Sequence, residues 1–266
     1  VIRRFVMAKV PMYGQNKYNE KAYEAAHDVE QVYNFGTPPV VSDYEHAAAQ
    51  LVDGTAGDET LHQYADGLCL TVYPIVGQAI DKPAAATTGM DYAYDQTDND
   101  GIEIRMSNSI TKGREGVDRF TVGLQAFEAE LEFSIGDVSG TDDCAFGFCK
   151  VDVHRAAVDD NDEMACLNVI SGDITIETVL NNAATTSTDT TANWADGEVH
   201  SLKVKVAQSG AVTYEIDGNA PATTAAFSFD AGEVITPFVY QLQASDLCDT
   251  LILRKLVVKS DKGSLE

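Results

Sequence analysis

Strict alternation of apolar and polar positions is clearest between Trp194 and Gly218. His200, Leu202, Val204 and Val206 alternate with Ser201, Lys203 and Lys205. Val212, Tyr214 and Ile216 then alternate with Ala211, Thr213, Glu215 and Asp217. A period of two places successive side chains on opposite faces, so each run predicts a strand with one buried face. Ala207-Gln208-Ser209-Gly210 between them is short and ends in glycine, which predicts an antiparallel hairpin. Asp196-Gly197 and Asp217-Gly218 flank it as turn signals.

The same texture begins near Tyr64. Leu68–Val72, a short run reaching Ile80, Gly101–Met106, Phe120–Gly123, Phe127–Ile135, Cys144–Val153, Cys166–Ile170 and Ile174–Leu180 read as strands. Asn181–Asn193 reads as a polar loop, and Phe227–Phe229, Thr236–Gln243 and Leu251–Lys259 complete the set. Short strands separated by Gly, Asp and Asn turns, with no helical period between them, predict a mainly β antiparallel sandwich. The first residues differ. Tyr18, Ala22, Ala25, Ala26, Val29 and Val32 form a stripe that predicts a helix over Lys17–Tyr33, capped by Asn16 or Asn19 and ended by Phe35-Gly36-Thr37-Pro38-Pro39. Ser42-Asp43-Tyr44-Glu45 has the form of a capping box for a second short helix, stopped by Asp53-Gly54. The expected organisation is an N-terminal arm over 1–58, with one or two short helices, and a β-sandwich over 59–266.

Charge narrows the function classes. The chain has 266 residues, 42 of them acidic and 18 basic, for a net charge of −24. So acidic a surface repels phosphate, so no nucleic-acid partner is expected. No apolar run approaches the roughly 18 residues of a membrane span, and no membrane contact is expected. Val1–Val6 carries Arg3 and Arg4 without a long apolar run, so it does not read as a secretory signal, and the start reads as either Val1 or Met7. Arg3, Arg4, Lys9, Lys17 and Lys21 make the N-terminus a local basic exception, suited to docking on a partner. Cys69, Cys144, Cys149, Cys166 and Cys248 show no C-x-x-C or zinc spacing. They are expected to be buried free thiols of a protein made in a reducing cytosol.

Two stretches carry a family resemblance. Asp196-Gly-Glu-Val-His200-Ser-Leu-Lys-Val-Lys-Val206, followed by Gly210-Ala-Val-Thr-Tyr-Glu-Ile-Asp217-Gly218, resembles the hairpin of concanavalin A-like (laminin-G-like) jelly rolls. Ala126–Phe148 resembles the paired strands of jelly-roll modules in tailed-phage virion proteins, and Met7–Lys17 resembles the N-terminus of a phage structural protein. The resemblance covers roughly 64–259. It implies a jelly-roll sandwich and, by analogy, a virion role.

Candidate chemistry is sparse. Glu128, Glu130 and Glu132 share one strand face, as the paired carboxylates of laminarinase-like glycosidases do. The middle residue is Glu130 where those enzymes carry Asp, and Trp194 is the only tryptophan, so the row reads as a solvated face. Asp95, Asp98 and Asp100 before Gly101 are similar to a calcium loop but lack the closing Glu, and Asp159-Asp-Asn-Asp-Glu163 is a second acidic cluster. The five histidines are far apart, and His200 reads as a hydrogen-bonded core residue. No nucleophile elbow or phosphate loop is present.

The expected function is therefore non-enzymatic: a phage virion structural protein, a capsid decoration or cement protein on the head exterior. Arg3, Arg4, Lys9, Lys17 and Lys21 would face the major capsid protein or another virion protein, and a homotrimer or homodimer is expected. No cofactor is expected, with structural calcium at Asp95, Asp98 and Asp100 the alternative. The rival reading is a carbohydrate-binding jelly roll on a virion appendage or cell surface, using Tyr92, Tyr94 and Tyr240 for stacking. A laminarinase-like hydrolase stands behind both.

Overall fold

The computed structural model describes residues 28–35, 60–63, 69–75, 83–86, 88–92, 99–106 and 119–261. In chain order the strands are β1 (Asp28–Asn34), β2 (Thr60–Gln63), β3 (Cys69–Pro74), β4 (Ala84–Ala86), β5 (Gly89–Asp91), β6 (Gly101–Arg105), β7 (Phe120–Thr121) and β8 (Phe127–Ile135). They continue with β9 (Thr141–Lys150), β10 (Met164–Ile170), β11 (Asp173–Val179), β12 (Thr186–Asn193), β13 (Val199–Val206), β14 (Val212–Ile216), β15 (Val234–Gln243) and β16 (Leu251–Asp261). Sheet I has the order β14-β13-β8-β16-β5-β4, with β1 also on β16. Sheet II has the order β12-β11-β10-β9-β15-β6-β3-β2, with β7 also on β15. Every strand pairing described is antiparallel, as the alternating texture predicts.

Sheet I keeps the simple pattern. Along β8, Phe127, Ala129, Leu131 and Phe133 point inward and are buried, while Glu128, Glu130 and Glu132 stay half-buried on the outer face. β13 does the same with Leu202, Val204 and Val206. The β13–β14 hairpin forms as expected, in a register that runs from Leu202 opposite Ile216 to Val206 opposite Val212. Its far end closes at Asp217-Gly218, where both residues take positive φ, 51° and 74°.

The inner rows of the two sheets meet in one core. Leu131, Phe133, Leu253 and Leu256 pack against Phe146, Leu167, Ile176 and Ile104. Each such side chain contributes about 1.5–3 kcal/mol through burial. Gly147 lies where β9 and β10 approach closely: a Cβ there would fall 2.2 Å from the carbonyl oxygen of Ala165.

Sheet II is buried on its outer face too. Ala145, Cys149, Met164, Cys166, Val179, Phe238 and Tyr240 join Ile75 and Val158 in a second apolar cluster. Two-sided burial explains why β9, β10 and β15 read as nearly continuous apolar runs rather than alternating ones. Cys144 faces the first cluster and Cys149 the second, and with Cys166 and Cys248 both are free and buried.

Two expectations are corrected. Residues 28–33 belong to a strand, not to the end of a helix. Tyr33 and Phe35 are buried and alternate with exposed Glu30, Val32 and Asn34, and β16 supplies the ladder from Asn34–Lys255 to Asp28–Asp261. Local helical spacing lost to a long-range sheet partner. The expected loop over Asn181–Asn193 contains β12, whose threonine-rich, mostly exposed sequence lacks an apolar period because it is the free edge of sheet II. The remainder of the expected helix and the whole of the second one lie outside the described residues.

Candidate functional site

A sandwich offers a ligand two outer sheet faces, and here the two are closed in different ways. On sheet I the glutamate row is held in a lattice of cross-strand ion pairs. Lys203 Nζ reaches Glu130 at 2.8 Å and Glu215 at 3.3 Å. Lys205 bonds Glu215, and Lys259 lies 3.6 Å from both Glu128 and Glu30. Partly exposed pairs of this kind contribute about 0–1 kcal/mol each. Their consequence is geometric: Glu128 and Glu130 are engaged by lysines.

On sheet II the loop 151–163 between β9 and β10 is pinned over the second cluster. Arg105, at the end of β6 and buried, donates from Nε to Glu103 at 2.6 Å. Its Nη1 donates to Asp152 O at 2.6 Å, and its Nη2 to Val153 O at 3.2 Å and Asn161 Oδ1 at 3.3 Å. Glu103 Oε2 accepts the Arg155 N–H at 2.9 Å, and the Tyr240 hydroxyl donates to Ala156 O at 2.8 Å. His154 stacks on Tyr73 with ring centroids 4.9 Å apart. Burial pushes the His154 pKa down to about 4, so its ring is neutral at physiological pH. Burial opposes the Arg105 charge, but the charges around it, Glu103 among them, hold its pKa above the usual value.

A polar line remains at the β9–β10–β11 end of the same face. Asn168 Nδ2 donates to Asp143 Oδ1 at 2.6 Å and to Glu177 Oε2 at 3.1 Å, and Asn168 Oδ1 accepts the Cys144 N–H at 3.0 Å. One amide nitrogen thus serves two carboxylates and has no hydrogen left to give. Burial pushes the Asp143 pKa up to about 7, against the Asn168 hydrogen bond and helped by repulsion from Glu177, Asp142 and Asp159. Burial raises Glu177 as well, opposed by hydrogen bonds from Asn168 and Ser187.

At the edge of sheet I, His200 sits between two acids. Its Nδ1 is 2.7 Å from Asp217 and its Nε2 3.1 Å from Glu198, with the Trp194 ring edge-on at 4.6 Å. The residue is half-buried at the start of its strand rather than in the core. Burial alone would lower its pKa, but the hydrogen bonds to Asp217 and Glu198 outweigh it and raise the value. The expected NMR titration midpoint therefore lies above the ordinary 6.5, and Asp217→Asn lowers it. The clamp's stabilising contribution is full below pH 6.5 and is lost as pH rises through the raised value. A midpoint at or below 6.5 rules the clamp out.

The stacking candidates are placed differently from expectation. Tyr92 is 1% exposed and Tyr240 is fully buried, so neither offers a ring face to a sugar. Their apolar rings complete the two clusters instead. Asp100 is buried. Tyr94, Asp95, Asp98, Arg3, Arg4, Lys9, Lys17 and Lys21 lie outside the described residues. Among the described residues, no three His, Cys, Asp or Glu side chains converge as a preformed metal centre. Sequence reasoning missed Arg105, Glu103 and Asn168. The available signal was a charged or amide residue inside an otherwise apolar strand, as in Gly101-Ile-Glu-Ile-Arg and Cys166-Leu-Asn-Val-Ile.

No protein-family model matches the chain, and no curated protein matches its sequence. Solved structures do match. The carbohydrate recognition domain of Emp47p gives a TM-score of 0.50 at 9% identity, over 81% of this chain and 98% of that one. The corresponding domain of Emp46p, in its potassium-bound form, gives 0.50 at 9% identity, over 71% and 87%. Lectin II from Ulex europaeus gives 0.47 at 11% identity, over 87% and 98%. The likeness is one of fold: the chain has a concanavalin A-like jelly-roll β-sandwich fold. None of these three is described as a virion protein, so the virion reading rests on the sequence resemblance.

Proposed function

We propose that this chain is a non-catalytic assembly module, a jelly roll that decorates a larger particle through its basic N-terminal segment. The observation that carries the reading is that the chain's own residues occupy both broad faces: a solvated lysine–glutamate lattice on sheet I and the Arg105-pinned loop over part of sheet II. Faces occupied in this way favour a body that is carried rather than one that grips a ligand. Described residues carry most of the acidity, whereas Arg3, Arg4, Lys9, Lys17 and Lys21 precede the first described strand. The head of a tailed phage is the particle that the sequence resemblance favours, and an acidic capsid lattice would complement that segment.

The test separates the segment from the sandwich. A chain lacking residues 1–27 keeps β1, so it is expected to fold but to lose co-sedimentation with purified heads that the full chain retains. Unchanged occupancy sinks the docking mechanism. A second reading, binding of a neutral glycan, is favoured by the Asp143–Asn168–Glu177 line, whose carboxylates accept hydrogen bonds as sugar hydroxyls donate them. An acidic glycan would be repelled. A glycan-array signal abolished by Asn168→Ala would establish that reading in place of the first.

A further inference from the structure

A sheet edge carries a row of backbone N–H and C=O groups that a further strand can satisfy. The chain closes one such edge itself. Along β14 the Val212 N–H donates to Phe227 O at 3.0 Å, the Phe229 N–H to Gly210 O at 3.1 Å and the Ile216 N–H to Asn219 O at 2.8 Å. At β12 no described strand does the same, and its one described partner is β11. The sequence of β12 does not guard the edge either. Thr186–Asn193 contains no lysine or proline, residues that keep edges from pairing, and Asp189 is its single charge. Its irregularity is confined to the far end. The register shifts opposite Ile174 and Thr175, and Thr191 takes a φ of 67°. There the N–H groups of Thr191 and Ala192 are met by Asp189 Oδ1 at 2.7 Å and Thr190 Oγ1 at 3.2 Å. Residues 186–189 stay in unbroken register with β11.

We infer that β12 is the interface of a homodimer, in which it pairs antiparallel with β12 of a second copy about a two-fold axis at Thr188. Charge selects the place: with a net charge of −24, two copies repel over most of their surface, and this nearly neutral strip lets them approach. Symmetry then selects the register. Hydrogen-bonded and non-bonded pairs alternate along an antiparallel ladder, so a two-fold axis must set one residue opposite itself. An axis at Asp189 sets like charges face to face, which is destabilising. An axis at Ser187 runs the ladder off the start of the strand. At Thr188 the two threonines face each other, Asp189 of each copy lies opposite Ser187 of the other, and Thr186 lies opposite Thr190. Cross-strand threonine pairs of this kind are favourable. The contact is isologous and closes after two copies, joining the two copies of sheet II into one continuous sheet.

The test is sedimentation velocity of the full chain across a concentration series. A monomer–dimer equilibrium is expected, with a dissociation constant on the order of 10–100 μM, as suits a small interface. Added salt is expected to tighten it, because screening shortens the reach of the −24 charge. Two neighbouring substitutions then read the register. Thr188→Lys sets two ammonium groups face to face across the axis and is expected to weaken the dimer by about tenfold or more. Ser187→Lys sets a lysine opposite Asp189 in both halves and is expected to tighten it about fivefold. Each adds the same positive charge, so a general relief of repulsion would tighten both; opposite signs belong to this register. Removing residues 1–27 is expected to leave the dimer intact. A chain that stays monomeric at about ten times the upper end of that range overturns the proposal. So does a dimer that Thr188→Lys leaves unchanged, and if that dimer is lost without residues 1–27 the contact belongs to the N-terminal segment.

Discussion

Arg105→Ala is expected to destabilise the fold by about 3–5 kcal/mol, the cost of stripping one partner from a buried ion pair. The guanidinium neutralises Glu103, which is fully buried, and satisfies the carbonyls of Asp152 and Val153 together with Asn161 Oδ1. Alanine leaves all of these facing a void. Lysine is no remedy, since one ammonium cannot reproduce a planar fork of donors, so Arg105→Lys is expected to lose nearly as much. The double variant Glu103→Gln/Arg105→Met removes both charges and is expected to lose markedly less than Arg105→Ala. Urea unfolding followed by circular dichroism gives these values. A second readout is specific to the loop: tryptic cleavage at Arg155 should accelerate in Arg105→Ala well below the unfolding transition. A loss below about 1 kcal/mol, typical of a surface pair, would show that the loop is held by its apolar contacts alone.

The closed face also explains what the sequence could and could not convey. Sheet I was legible because it has one wet side: Phe127–Ile135 and Val199–Ile216 alternate, and their register follows from that alternation. Its outer glutamates read as a solvated face, and the structure places them half-buried on the outer side with lysines beside Glu128 and Glu130. The central strands of sheet II were legible as strands but not as a face. With both sides buried, Cys144–Lys150 and Met164–Ile170 carry no parity signal to say that a loop lies over them. The arginine that pins the loop makes its bonds 47 and 48 residues away in sequence, a separation no local pattern encodes. The same holds for β1. Its valines fit a helical stripe, and only the ladder to β16, at the other end of the chain, makes it a strand. The aromatic candidates failed for a related reason: a tyrosine's hydroxyl allows either exposure or burial, and Tyr240 resolves it by bonding Ala156 across the loop.

Protonation of Asp143 is expected to make the protein more stable as pH falls from 8 to 5. The folded-state pKa of about 7 lies above the ordinary 3.8, so the folded chain takes up a proton across that interval before the unfolded chain does. Stability therefore grows as pH falls through the window, and the full cost of the ionised carboxylate is present above pH 7. Each unit of separation corresponds to about 1.4 kcal/mol, and partial exposure of the residue reduces the total to something on the order of 2 kcal/mol. Relief of the −24 charge acts in the same direction, so the pH profile of the native chain alone does not isolate the residue. The difference between native chain and Asp143→Asn does. Asparagine keeps an oxygen for Asn168 Nδ2 and removes the charge beside Glu177. The variant is expected to be more stable than the native chain by about 2 kcal/mol at pH 8 and nearly equal to it at pH 5. Urea midpoints at the two pH values decide the matter. An equal difference at both would mean that Asp143 is ionised throughout, its charge accommodated by Asn168 and solvent, and the polar line on sheet II would then be an ordinary wet patch.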